Sequence, residues 1–305
     1  MSREEIAKAI RRLPPRPAQL FNHLFFKTLF LFSAKKDALD IPGETKRVLI
    51  LAPHMDDDII GCGGTISRYI NGGVRVHILY LTTGQRSRHP FLNEKQLKEE
   101  RKREAYRVAK LYGLKDLYFL DNIDGNLCLD HQNVEKVMDL VGQIQPDLVL
   151  VPFFLDYNRD HIETNRIFIE AARKAGWEMS LLAYQIQCPL SPGTINRVVD
   201  IDSSILIKQK ALELYKSQVY GKRFFQTVLD LNRYQSSLAR KKCRYVEVFL
   251  HLDIKKYAYL FKRMDERYDI SKHLEGFGDN YSLPYSFLKG SRLRKEVKRF
   301  LCSWY

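Results

Sequence analysis

The chain has 305 residues, 45% hydrophobic and 28% charged, which is long enough to bury a substantial core and too apolar for a disordered or fibrous protein. Five scattered cysteines (Cys62, Cys128, Cys188, Cys243, Cys302) form no C-x-x-C pair, which argues against a disulfide framework or a cysteine zinc site and suits a reducing compartment. A net charge of +14 favours an anionic partner, but without zinc-finger spacing, an RNP-type motif or a basic heptad no nucleic-acid partner is expected.

The first feature along the chain is the apolar, aromatic stretch "LFNHLFFKTLFLF" (20–32), flanked by Arg11, Arg12 and Arg16 and by Lys35 and Lys36. A membrane span needs about 20 apolar residues, and His23 and Lys27 interrupt this shorter run. The broken apolar region and missing cleavage site also fit a signal peptide poorly. Two readings stand: an interfacial helix among anionic headgroups, or a helix packing its aromatic face on the main domain. The expected location is the cytoplasm, and the first reading adds peripheral contact with the inner face of the membrane.

From residue 46 strand and helix signals alternate. "KRVLILAP" (46–53) reads as a buried strand, "GGTISRYINGG" (63–73) as a helix, and "VRVHILYLTTG" (74–84) as a second strand. A charged helix over 92–114, a strand "DLYFLD", a helix over 132–145 and a strand "PDLVLVPF" follow, and "ETNRIFIEAARKAG" is helical again. Repeated strand–helix units of this length predict an α/β fold with a mostly parallel sheet. Further on, "VVDIDSSILIKQKALELYKSQ" predicts a strand and a helix and "YVEVFLHLD" a strand, before a basic, aromatic-rich tail. The expected division is an N-terminal extension (1–45), a main domain (46–250) and a C-terminal extension packed on it (251–305).

In open α/β sheets, sites form beyond the carboxyl ends of strands. Two loops there carry unusual chemistry: "PHMDDDIIGCGG" (53–64) and "FLDYNRDH" (154–161). Three adjacent carboxylates repel one another at the end of a buried strand, and a dication offsets that repulsion. His54 and Asp57 lie close enough to share an ion, and His161 supplies a third ligand with room left for water. Asp56 can then take a proton from that water. Local alternatives are hydrogen-bonded loop histidines and aspartates that cap the next helix. A D-x-D glycosyltransferase metal site is a further reading, whereas "GCGGTI" lacks the spacing of a dinucleotide-binding loop.

The paired loops resemble those of the PIG-L/LmbE-like zinc-dependent N-deacetylases, which act on N-acetylglucosamine-type groups. "APHMDDDIIGCGG" is similar to that family's A-H-P-D-D-E strand end and glycine turn, with Met55 for the proline and Asp58 for the glutamate. "DYNRDH" approaches its D-x-H-x-D-H motif, and "LTTGQRSR", the R-x-x-E of "RKRE", "KLYGL", "FLDNIDGNL", "ALELYKSQ" and "YVEVF" follow the family's order over roughly 46 to 250. The resemblance implies a Rossmann-like three-layer fold and a zinc ion, or ferrous iron, on His54, Asp57 and His161, with Asp56 as general base. It further implies Arg101, Glu104 and Asp156 near the substrate, and Asp58 and Asp160 behind the ligands. The expected substrate is a small-molecule or lipid-linked amino sugar. One departure bears on mechanism: Asn158 stands where the family has a second histidine. Asparagine can donate a hydrogen bond to an oxyanion but cannot deliver a proton. Tyr157 is a nearby candidate for polarising the carbonyl. A degenerate relative acting as a metal-binding or scaffold module is the non-enzymatic alternative.

Overall fold

The computed structural model describes residues 15–31, 33–36, 45–87, 89–219 and 223–304. Arg11 and Arg12, the expected basic flank of the first helix, lie outside them. Five parallel strands, β1 (Arg47–Ala52), β2 (Arg75–Thr82), β3 (Asp116–Asn122), β4 (Leu148–Pro152) and β5 (Ser180–Tyr184), lie in the spatial order β3-β2-β1-β4-β5. Two further strands complete the sheet beyond β5: β7 (Val246–Asp253) pairs antiparallel with it, and the short β6 (Arg197–Asp200) pairs antiparallel with β7. The mostly parallel sheet expected from the strand–helix alternation is thus observed. The antiparallel edge was not legible as such.

Helices sandwich this sheet. On one face α2 (Asp57–Asn71), α3 (Glu94–Tyr112), α6 (Ile205–Leu214) and α8 (Phe224–Gln235) pack among themselves. On the other lie α4 (His131–Ile144), α5 (Arg159–Ala175), α9 (Ile254–Asp265) and α11 (Ser291–Cys302). Covered on both sides, β4 is buried throughout and β1 from Val48 onward, which is why each reads as an unbroken apolar run rather than an alternating one. The chain moves outward from β1 to β2 and β3, then returns to β4 on the other flank of β1. The carboxyl ends of β1 and β4 are therefore neighbours at the point where the strand order reverses.

Two helices start earlier than predicted. α2 begins at Asp57 rather than at the glycines, because Asp57 and Asp58 suit a helix N-terminus. The helix breaks at Cys62 (φ −143°, ψ 21°), and the break frees backbone groups that a continuous helix would pair. A fully buried ion pair satisfies them. Lys208 Nζ donates to Ile60 O at 2.9 Å and to Glu247 Oε1 at 2.6 Å, while Glu247 accepts from Gly64 N at 2.9 Å and Thr65 N at 2.7 Å. The glycines admit close neighbours: a Cβ on Gly61 would stand 2.1 Å from the Tyr184 ring. α5 likewise begins at Arg159, with Asn158 as its N-cap.

The extensions are built onto this frame. Helix α1 (Pro15–Leu31) buries Phe26 and Phe30, with Phe26 stacked 5.7 Å from Tyr234 of α8 and edge-on to Phe287 of α10 (Leu283–Lys289). Strand β7 runs through Asp253, so one continuous element crosses the expected boundary at residue 250.

Candidate active site

The two chemistry-bearing loops meet where β1 and β4 end. Asp57 Oδ2 is the centre of the arrangement: His54 Nδ1 lies 3.0 Å from it and His161 Nε2 3.3 Å from it. It also accepts the His54 backbone N–H at 2.9 Å, which holds the turn in shape. All three residues are buried, at 7%, 4% and 1% exposure for His54, Asp57 and His161. Each ring is held from behind by further carboxylates. His54 Nε2 lies 3.1 Å from Asp124 Oδ1 and 3.2 Å from Asp160 Oδ2, and His161 Nδ1 lies 3.3 Å from Asp156 Oδ1.

The electrostatics of this cluster call for positive charge at its centre. Burial raises the Asp57 carboxyl, but His161 foremost, together with His54, overcomes that and holds it well below the usual range. Burial disfavours charge on the rings too, yet the carboxylates prevail: Asp156 and Asp57 push His161 up to about 9, and Asp124, Asp160 and Asp57 raise His54. The ligand-type atoms of His54, Asp57 and His161 all lie within 4.8 Å of one another. Two imidazoles and a carboxylate, each ring backed by an outer carboxylate, form a donor set suited to a divalent ion. Residues His54, Asp124 and Asp160 form a second such group that shares the same imidazole.

Asp56 faces the same cavity. Its Oδ1 accepts from Arg101 Nη2 at 3.0 Å, and the guanidinium also reaches Met55 O, Gly84 O and Ser87 Oγ at 3.1, 3.2 and 3.1 Å. Burial pushes the Asp56 carboxyl up to about 6 against the pull of Arg101. Arg101, 2% exposed, forms part of the cavity wall and clamps the turn that carries Asp56. Glu104, one helical turn on, lies away from the cavity: it accepts from Ser217 N at 2.8 Å and Ser217 Oγ at 2.6 Å, latching α3 to α7 (Lys216–Val219). Asp156 likewise supports His161 rather than lining the pocket. Asp160 accepts the Gly125 N–H at 2.7 Å behind His54. Asp58, fully buried and raised to about 7 by burial, receives the Tyr80 hydroxyl at 3.1 Å.

Asn158 uses its Oδ1 to cap α5, accepting from Asp160 N at 2.9 Å, and lines the cavity. Tyr157 stands at the rim, its ring against Gly276, where a Cβ would come within 2.2 Å. The cavity holds about 440 Å³. Sequence reasoning missed several of its walls. Asp124 follows β3, a third loop at the same sheet edge, and its Asp-Gly step was the available signal. Phe224 and Phe277, with ring centroids 5.3 Å apart, and Gln187 come from distant segments without a local pattern.

Residues 49–172 match the PIG-L family, described as GlcNAc-PI de-N-acetylase. The chain carries a PIG-L family domain. This domain contains all three convergent ligand-type residues and Asp56, whereas Gln187, Phe224 and Phe277 lie outside it. Over 207 residues, 61% of this chain and 77% of the relative, the sequence is 28% identical to a diacetylchitobiose deacetylase of Thermococcus kodakarensis. It is also 28% identical to a 4-oxalmesaconate hydratase of Pseudomonas putida, over 38% of this chain and 47% of that one. Among solved structures, the N,N'-diacetylchitobiose deacetylase of Pyrococcus horikoshii superposes with a TM-score of 0.62 at 24% identity, covering 72% of this chain and 89% of its own, and shares the fold.

Proposed function

We propose that this PIG-L domain protein is a metal-dependent hydrolase that removes the N-acetyl group from an N-acetylglucosamine-type sugar or glycoconjugate, lipid- or phosphate-linked and used in envelope glycan synthesis. The observation that carries the reading is the meeting of His54, Asp57 and His161 in one buried cluster beside Asp56. Similarity to a deacetylase over 207 residues supports it. The ion would be zinc or ferrous iron, held by those three side chains. When bound, such an ion supplies Lewis acidity and lowers the pKa of water.

The remaining chemistry belongs to the chain. Asp56, fixed by Arg101, accepts the proton of the attacking water as the C–O bond forms. Asn158 Nδ2 donates to the carbonyl oxygen as negative charge develops there, and Tyr157 closes the same side of the cavity. Asp56 then hands its proton to the departing nitrogen as the C–N bond breaks, so amine and acetate leave together. Without a histidine at 158, one carboxyl performs both proton transfers. We place the protein in the cytoplasm.

Acetate release from N,N'-diacetylchitobiose and from N-acetylglucosamine, measured with zinc and with ferrous iron, tests the proposal. Release that requires the ion and is lost in Asp56→Asn supports it. Addition of water to an unsaturated tricarboxylate with no acetate formed from either sugar would favour the hydratase chemistry named for the Pseudomonas relative.

A further inference from the structure

Helix α1 has two faces. Its inner face is fixed: Phe26 and Phe30 are fully buried, and Asn22 Nδ2 donates to Asn280 O at 2.5 Å. At about 100° per residue, Leu20, Leu24 and Leu31 fall within about 40° of one another on the opposite side. They are 60%, 56% and 53% exposed, and Lys27 is exposed on the same face. Leu20 and Leu24 are one turn apart and Leu31 about two turns further on, with Lys27 between them, so this outward face of an anchored helix is itself amphipathic.

A second observation comes from the other extension. On α11, Leu293, Val297 and Leu301 face inward, while Arg292, Lys295, Lys298 and Arg299 are exposed. Arg292, Lys295 and Arg299 line a cavity of about 850 Å³ together with Arg267. The one carboxylate in its wall, Glu296, is engaged by Arg267 at 2.8 Å and by the Tyr268 hydroxyl. Among the described residues no ion pair involves Lys295, Lys298 or Arg299. The two helices adjoin through α10: Phe287 is edge-on to Phe26 of α1, and the Arg294 guanidinium of α11 lies 5.5 Å from the Phe287 ring.

We infer that α1 and α11 together form a docking surface for a bilayer carrying anionic lipids, with the outward leucines entering the headgroup boundary and the α11 cations meeting lipid phosphates. An amphipathic helix lying in the interface with basic groups beside it is bound by both terms at once. The choice of a lipid surface over another protein rests on charge complementarity: the chain carries +14, and among the described residues Lys295, Lys298 and Arg299 have no ion-pair partner. The docking surface does not depend on the deacetylase reading.

Co-sedimentation of the full chain with phosphatidylcholine vesicles, with and without phosphatidylglycerol, tests it. The wild-type chain is expected on the anionic vesicles at low salt and in the supernatant with pure phosphatidylcholine. Leu20→Ser/Leu24→Ser and Lys295→Gln/Arg299→Gln are each expected to weaken partitioning by about tenfold or more. Their thermal midpoints should stay near wild type, since none of the four side chains is buried. No binding to the anionic vesicles, equal binding to neutral ones, or wild-type binding by either variant would overturn the inference. Conversion of a wild-type dimer to a monomer by the leucine variant, without vesicle binding, would assign these leucines to a second copy instead. Acetate release from a soluble sugar is scored separately, so failure of the deacetylase reading leaves this result interpretable.

Discussion

Lys208→Met is the most informative single perturbation of the scaffold beneath the site. Lys208 and Glu247 are each fully buried, and the ammonium donates to Glu247, to Asn232 Oδ1 at 3.0 Å and to the carbonyl of Ile60. Methionine of similar length leaves the Glu247 carboxylate buried without its counter-ion and strands the Ile60 carbonyl at the break in α2. Removing one partner of a buried pair costs about 3–5 kcal/mol, because the remaining charge is left uncompensated. Unfolding entropy of about 2.1 cal/mol/K per residue gives about 0.64 kcal/mol/K for 305 residues, so the midpoint should fall by about 6 °C. Thermal unfolding followed by circular dichroism reads this directly. The double variant Lys208→Met/Glu247→Gln removes the orphaned charge and should recover more than half of the loss. A single-variant shift below about 2 °C, or a double variant as unstable as the sum of the singles, would refute the claim that this pair holds the broken helix.

The site makes its own predictions. Asp56→Asn should keep stoichiometric metal by elemental analysis yet lose about 10²–10⁴-fold in kcat, the usual contribution of a positioned proton acceptor; wild-type turnover would remove Asp56 from the reaction. His161→Ala should lose the metal itself, and an undiminished metal content would point to the alternative group around Asp124 and Asp160. Asn158→Asp keeps an N-cap oxygen but no N–H donor, so it should leave the melting temperature within about 1 °C while lowering kcat about tenfold or more, whereas Asn158→Ala should lower both. Gly84 has φ +61°, and a Cβ there would lie 2.4 Å from the Arg101 guanidinium. Gly84→Ala should therefore displace the clamp on Asp56, cutting kcat about tenfold with metal content unchanged; an unaffected kcat would mean Arg101 does not position the carboxylate.

Much of this site was legible before any coordinates because its key residues cluster in two short motifs. His54, Asp56 and Asp57 follow one central strand within five positions, and Asp160 and His161 open the helix after another. Strand ends in a parallel sheet are where such loops gather. The supporting contacts were not legible for the opposite reason. His54 meets Asp124 across 70 positions and Gly64 meets Glu247 across 183. Lys208 in "ILIKQKAL" reads as an ordinary helix cation and Glu247 in "YVEVF" as the polar half of an alternating strand, so nothing local marks them as a buried pair. Arg101 and Glu104 sit in a run of charges whose solvated and buried members share one composition, and only packing separates them.

The alternation of apolar runs with helical periods determined a mostly parallel α/β sheet by itself, since each period has one stable burial solution. Motif order likewise determined which two loops carry ligand-type residues. Tertiary structure decided how those residues are used. The reversal of strand order between β1 and β4 brings His161 onto Asp57. The reach of Arg101 from α3 fixes Asp56, and the cap on α5 takes the Asn158 oxygen. The tertiary structure also turned one face of α1 inward and left three leucines outside. Such outcomes depend on which surfaces meet after the chain folds back on itself, and a linear pattern of residue types does not contain that distance information.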